Sequence, residues 1–195
     1  ATTEALIMAI DAKDNYTKQH CSRVADMIVK FSKELGFDEE KQELMRKVAM
    51  LHDIGKIGIK EEILNKPGKL TPEEFEEIKR HADIGYQIVQ PVEFLGEGRD
   101  ILLYHQERYD GKGYPKGLKG DEIPLGSRML AIVDSYDAMI VDRPYRKKLP
   151  LEQVIDELNK CSGTQFDPEL VKIFVKMIEN AEKKHDESVV VKRLR

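Results

Sequence analysis

Six side chains in this 195-residue sequence have the types and placement to hold metal ions: His20, His52, Asp53, His81, His105 and Asp134. Imidazole together with carboxylate suits iron, manganese, zinc or nickel. His52 and Asp53 stand side by side at the end of an apolar stretch in which Leu44, Val48 and Leu51 recur at helical spacing. His20 shares a face with Val24, Met27, Phe31 and Leu35; His81 lies one turn beyond Ile78, and His105 falls on the side of Ile101 and Leu102. Only His185 sits in an exposed, charged stretch. A lone histidine on an apolar face is ordinarily a satisfied core residue. A carboxylate taken out of water is costly unless it is paired or binds a metal. Four imidazoles and two carboxylates drawn from five helices have one economical explanation, a metal site inside a helical bundle. So many ligands suffice for more than one ion, and Asp53 has two oxygens with which to bridge a pair.

The elements that must position these groups are helices. Residues 4–35 read as helix with a break near Asp14-Asn15, ended by Gly36, and Asp38 caps a second helix expected to run to Ile54. Gly55 reads as the residue that stops it. Residues 57–70 form a connector with a helical turn at 61–64. Thr71, Pro72 and Glu74 then spell a capping box. The helix they open carries Phe75, Ile78 and Ala82 inward and ends before Pro91, and Gly85 within it marks a close approach or a kink. A further helix covers about 97–105. Glu107 to Gly126 is dense in glycine and proline and reads as a long ordered loop, which in a compact domain is usually functional. Residues 127–142 return to helix, with Leu130, Val133, Ala138 and Val141 inward and Asp134 and Asp137 among them. Helices at 151–161 and about 168–184 follow, and 186–195 read as a tail. No strand pattern persists, so the fold class is all-α, with residues 1–185 expected to form one domain.

Composition narrows the partners. A net charge of −4 with 35% charged residues argues against binding a nucleic-acid polymer, but leaves room for a small anion held by a few local Arg and Lys. Two cysteines, Cys21 and Cys161, make neither a disulfide framework nor a thiolate zinc site, so a cytoplasmic location is expected. No apolar run approaches the roughly 18 residues of a membrane span, and no signal peptide is visible. The helical pattern begins almost at Ala1, from which a longer parent protein is expected.

The order His20, His52-Asp53, His81, His105, Asp134 resembles the HD superfamily of metal-dependent phosphohydrolases. More narrowly, His52-Asp53-Ile54-Gly55-Lys56 and Gly113-Tyr114-Pro115 resemble the HD-GYP domain, which hydrolyses the bacterial second messenger cyclic di-GMP. The similarity extends to Asp11-Ala12-Lys13-Asp14, Glu107-Arg108-Tyr109-Asp110-Gly111, Asp134 through Ala138, and Gly163-Thr164-Gln165-Phe166-Asp167-Pro168, covering roughly residues 5–175. Two departures matter. The family's paired histidines read His105-Gln106 here, and glutamine offers a carbonyl oxygen that is a weaker ligand than imidazole. Tyr16 stands where some members place a carboxylate for a third metal, so two ions are expected rather than three.

What the resemblance implies is an HD-type helical bundle with a glycine- and proline-rich GYP loop. It implies two divalent metals, iron or manganese, with His20, His52, Asp53 and Asp134 on one and Asp53, His81 and His105 on the other. Asp53 and Lys56 are the implied catalytic groups. Lys56, Tyr114, Arg143 and Arg146 are the implied substrate contacts, and Glu107, Asp110 and Asp137 are expected to orient ligands or pin the loop. The implied partners are cyclic di-GMP, a regulatory domain ahead of Ala1 and a second copy in a homodimer. Other readings are a different HD phosphohydrolase, a di-iron oxygenase, and a degenerate signalling module that binds without turnover.

Overall fold

The computed structural model describes residues 15–142 and 147–193, with side chains at 19–142 and 147–184. Asp11 through Asp14, Arg143 and Arg146 lie outside the described residues, as do the side chains of Tyr16 and His185. The helices in order are α1 (Asn15–Glu34), α2 (Glu39–Leu51), α3 (Glu61–Leu64), α4 (Pro72–Lys79), α5 (His81–Val89), α6 (Gly98–Leu103), α7 (Leu125–Ile140), α8 (Leu151–Lys160) and α9 (Pro168–Arg193). Short 3-10 turns occupy Ile54–Gly58, Glu93–Leu95 and Gly120–Glu122. Among the described residues the only β pairing is two isolated bridges, so the all-α expectation stands. No helix among them is long and apolar enough to cross a membrane.

The core forms where α1 lies against α2 and α7. Val24, Ile28 and Phe31 of α1, Val48 and Leu51 of α2, and Leu130 and Val133 of α7 are wholly enclosed. Each such side chain contributes about 1.5–3 kcal/mol by leaving water. Phe174 of α9 meets Phe31 and Tyr136 edge-on, with centroids 5.0 Å and 5.2 Å away. Because α1 and α7 carry His20 and Asp134 and His52 directly follows α2, the packing that buries the apolar stripes also brings these three groups together.

Several boundaries follow the sequence. α1 ends before Gly36, whose φ of 75° closes the helix with amides of Gly36 and Phe37 donating to Lys33 and Ser32 carbonyls. Asp38 caps α2 by accepting from the Lys41 amide at 2.8 Å. Thr71 and Glu74 exchange the two capping-box bonds at 3.2 Å and 2.7 Å. Thr71→Ala should therefore lower stability by about 1 kcal/mol. Thermal melting should show this as a fall of roughly 2–4 °C.

Others differ. α2 ends at Leu51 rather than Ile54, and the chain enters a 3-10 turn. Gly55 does not stop the helix by turning left-handed. It is required because α5 passes against it: a Cβ there would sit 1.8 Å from the His81 carbonyl oxygen and 2.5 Å from the Gly85 nitrogen. Gly85 thus marks a close approach, not a kink. The single helix expected from Thr71 to Pro91 is two, broken at Arg80. The break changes the phase of the face, so Ala82 is buried whereas Phe75, expected inward, is 45% exposed. Ala138 and Val141 are only partly covered, and α9 runs on to Arg193 through much of the stretch read as a tail.

Candidate metal centre

Three histidines are set by the same local device. His52 follows α2, His81 follows α4 and opens α5, and His105 follows α6. In each ring Nδ1 lies against the carbonyl three residues earlier, in the preceding helix's last turn: Ala49 at 2.7 Å, Ile78 at 2.7 Å and Leu102 at 2.6 Å. A carbonyl only accepts, so Nδ1 carries the proton and Nε2 a free lone pair. The three Nε2 atoms converge, with ring centroids 5.4 Å apart for His52 and His105 and 5.3 Å for His81 and His105. His20 joins them 5.5 Å from His52.

Asp53 stands between two sets of these groups. Its Oδ2 is 3.5 Å from His52 Nε2, and its Oδ1 is 3.9 Å from His81 Nε2. Lys56, one 3-10 turn later, places Nζ 2.6 Å from Oδ2. Burial alone would raise the Asp53 pKa, but the charge of the Lys56 ammonium, the largest opposing influence, holds it well below the usual carboxylate range. His20 Nε2 lies 3.1 Å from Asp134 Oδ1, and its Nδ1 lies 2.7 Å from Asp137 Oδ2. Asp137 is gripped in turn by the Arg23 guanidinium at 2.6 Å and 2.9 Å. Burial opposes protonation of His20, yet its bonds to Asp134 and Asp137 prevail and lift its pKa to about 9. Asp134 is raised by burial but held down to about 2, chiefly by its hydrogen bond from His20.

Two groups of candidate ligands result. His20, His52 and Asp134 offer donor atoms all within 4.8 Å of one another, and so do Asp53, His81 and His105. Whether they fit a cation is tested by the atoms left over. His52 Nε2 is buried with no hydrogen-bond partner, although buried polar atoms are normally satisfied. His81 and His105 bring their Nε2 atoms to 3.3 Å. Burial lowers the pKa of both rings, that of His105 to about 3, and because Nδ1 of each donates to a carbonyl, both Nε2 atoms face each other as acceptors. Lone pairs facing each other beside a carboxylate are a donor set for a positive ion, and the residues fit divalent metals.

The glycine-rich loop closes over this centre. Glu107 accepts from the Lys116 and Gly117 amides at 2.7 Å and 3.0 Å, and Asp110 accepts from Arg108 and from the Lys112 amide. The loop so pinned sets the Tyr114 ring edge-on to His81 at 6.2 Å. Burial and then the charges of Asp53 and Asp134 push the Tyr114 hydroxyl pKa up, so it remains protonated and able to donate. A cleft of about 270 Å³ opens beside the centre, with Gln106, Tyr114 and Asp134 in its wall.

The structure thus brings together all six residues singled out as ligands and adds Lys56 and Tyr114 at the rim. Arg143 and Arg146 lie outside the described residues. Sequence reasoning passed over Arg23, which holds Asp137 against His20. The signal was present: Arg23 lies three residues after His20, and Asp137 three after Asp134.

Comparison with known proteins agrees with this geometry. The sequence pattern of the family described as HD domain matches residues 4–170. A cyclic di-GMP phosphodiesterase of Thermotoga maritima is 43% identical over 178 residues, which cover 89% of this chain and 48% of that protein. The cyclic di-GMP phosphodiesterase response regulator RpfG of Xanthomonas campestris pv. campestris is 38% identical, over 87% of this chain and 46% of its own length. The chain therefore spans about half the length of these relatives. Among solved structures, a cyclic GMP-AMP specific phosphodiesterase of Vibrio cholerae superposes with a TM-score of 0.72 at 19% identity, covering 92% of this chain and 48% of that one. The likeness at that identity is one of fold. With the matched pattern spanning most of the sequence and the histidine and aspartate order assembled in space, the chain belongs to the HD domain family, in its HD-GYP-like form.

Proposed function

We propose that this domain is a metal-dependent phosphodiesterase that hydrolyses cyclic di-GMP. The observation that carries the reading is the pair of donor groups that meet at Asp53, with the His81 and His105 Nε2 atoms 3.3 Å apart. His20, His52 and Asp134 would hold one divalent ion and Asp53, His81 and His105 the other, with Asp53 offering an oxygen to each. Iron or manganese suits this mixture of imidazole and carboxylate. Such ions, when bound, polarise a phosphodiester and lower the pKa of water enough to supply hydroxide near neutral pH.

The chain's own groups do the rest. Lys56 keeps its ammonium beside Asp53, where it neutralises charge developing on phosphoryl oxygens. Tyr114, protonated at the loop tip, donates a hydrogen bond into the cleft. Arg23 and Asp137 fix the His20 ring, and Glu107 holds the loop that carries Tyr114 by accepting from its Lys116 and Gly117 amides. By resemblance, Arg143 and Arg146 supply further phosphate contacts.

The test is metal content per chain on protein purified without added metal or chelator, paired with cyclic di-GMP turnover on the same sample. Near two equivalents of iron or manganese with turnover upholds the reading and makes Gln106 a tolerated substitution. One equivalent or fewer, with no turnover after metal is restored, favours a degenerate binding module in which Gln106 has weakened the second group. Metal removal also has a structural readout. Each ion stripped should lower stability by about 2.7 kcal/mol relative to protein at one hundred times its dissociation constant. Melting should fall by roughly 5–10 °C per ion and recover when manganese is returned.

A further inference from the structure

We propose that Phe75 and Lys79 of α4, together with Tyr114, form a stacking subsite for one nucleobase of the substrate. Among the described residues Phe75 is one of four large apolar side chains left exposed, at 45%, although the sequence pattern places it inward. It is not stranded on an open surface: with Lys79, Tyr114 and His105 it lines the cleft beside the metal centre. Its ring meets Tyr114 edge-on, with centroids 6.4 Å apart and planes at 86°. Lys79 Nζ rides 5.0 Å from the Phe75 centroid and 5.8 Å from that of Tyr114, while Glu76 holds the ammonium at 2.6 Å. An aromatic pair with a cation across it offers what a purine recognises, since every base has a π-face and stacks without regard to its hydrogen-bonding edge.

The position fits a nucleotide whose phosphate lies at the metals. Tyr114 touches His81 on one side and Phe75 on the other, so Phe75 is two ring contacts from a proposed ligand. The cleft, about 270 Å³, is slightly smaller than the roughly 300 Å³ at which pockets that enclose a drug-sized ligand begin. A cyclic dinucleotide with its phosphate at the metal centre would therefore extend past the mouth of the cleft, where Phe75 stands. Stacking at its mouth therefore acts on affinity for the base, and the cleavage chemistry proceeds deeper in. This inference rests on the cyclic dinucleotide reading above.

The experiment compares metal-loaded wild type with Phe75→Ala and Phe75→Trp. Turnover is measured on cyclic di-GMP and on bis(p-nitrophenyl) phosphate, a diester without a base, and cyclic di-GMP binding is measured by calorimetry. Phe75→Ala should raise KM and Kd for cyclic di-GMP about tenfold, the scale of losing one aromatic partner to a base. Its kcat should stay within about twofold, and the baseless diester should be hydrolysed nearly as before, while Phe75→Trp restores affinity. Unchanged KM and Kd in Phe75→Ala would overturn the subsite. So would equal losses on both substrates, which would mean that the ring only shores up the Tyr114 loop. A wild type that binds cyclic di-GMP without cleaving it, with binding still weakened tenfold by Phe75→Ala, would sink the activity and keep the subsite. No binding at all by wild type would sink both.

Discussion

Asp53→Ala is expected to lower cyclic di-GMP turnover by about a thousandfold or more, with the helical bundle still folded. Asp53 is the one carboxylate whose two oxygens face the two donor groups, toward His52 and toward His81. Removing it withdraws negative charge from both sides at once and strands Lys56, whose ammonium it now positions at 2.6 Å. Stabilisation by bound metal is worth several kcal/mol in such reactions, and each 1.36 kcal/mol is tenfold in rate. Asp53→Asn keeps the shape and one carbonyl oxygen, so it separates loss of charge from loss of volume. The measurements are kcat at saturating substrate and metal equivalents per chain, with circular dichroism to establish the fold. Full activity in Asp53→Ala would exclude the two-ion arrangement outright.

The second large effect is structural. Gly55→Ala should destabilise the protein by about 3 kcal/mol or more, at the upper end of what overpacking a core does. The added methyl group would meet the His81 carbonyl oxygen at 1.8 Å, the Gly85 nitrogen at 2.5 Å and the His81 carbonyl carbon at 2.8 Å. All three are backbone atoms, which cannot rotate aside. The 3-10 turn and α5 would have to part, and that seam has Asp53 and Lys56 on one side and His81 on the other. Metal content should therefore fall along with the melting temperature. Gly36→Ala is the useful contrast: φ is 75° there but nothing lies within 4 Å of a new Cβ. Only the left-handed strain of about 1–2 kcal/mol applies, and the metal centre should be untouched. Equal effects of the two substitutions on metal content would contradict the packing argument.

These two glycines show how far the sequence reaches. Both follow a helix, and by type alone both read as stops. Gly36 is one; Gly55 is a point of contact with a helix about 30 residues later, which no local pattern reveals. The candidate ligand residues were legible because each sits on, or just past the end of, an apolar helical pattern, where a polar side chain is conspicuous. Asp137 was noticed for the same reason, but its partner Arg23 was not, because an arginine near a helix surface looks like any solvated charge. Phe75 was misplaced because the break at Arg80 is invisible in a sequence whose capping box and apolar spacing both promise one continuous helix. Local chemistry thus announced the residues, and tertiary packing decided which faces they share.

The bonds that orient the histidines have a consequence for how the protein tolerates genetic change. His52, His81 and His105 are each steered by a main-chain carbonyl in the last turn of the helix that precedes them. No single codon change at Ala49, Ile78 or Leu102 can delete that acceptor, so the aim of these rings is buffered against drift in their neighbours. His20 is held differently, through the side chains of Asp137 and Arg23. Its orientation can be lost or retuned by one substitution at either position. Variation among descendants of this sequence should therefore bear on the His20 corner of the centre first, and leave the other three rings pointing where the backbone sets them.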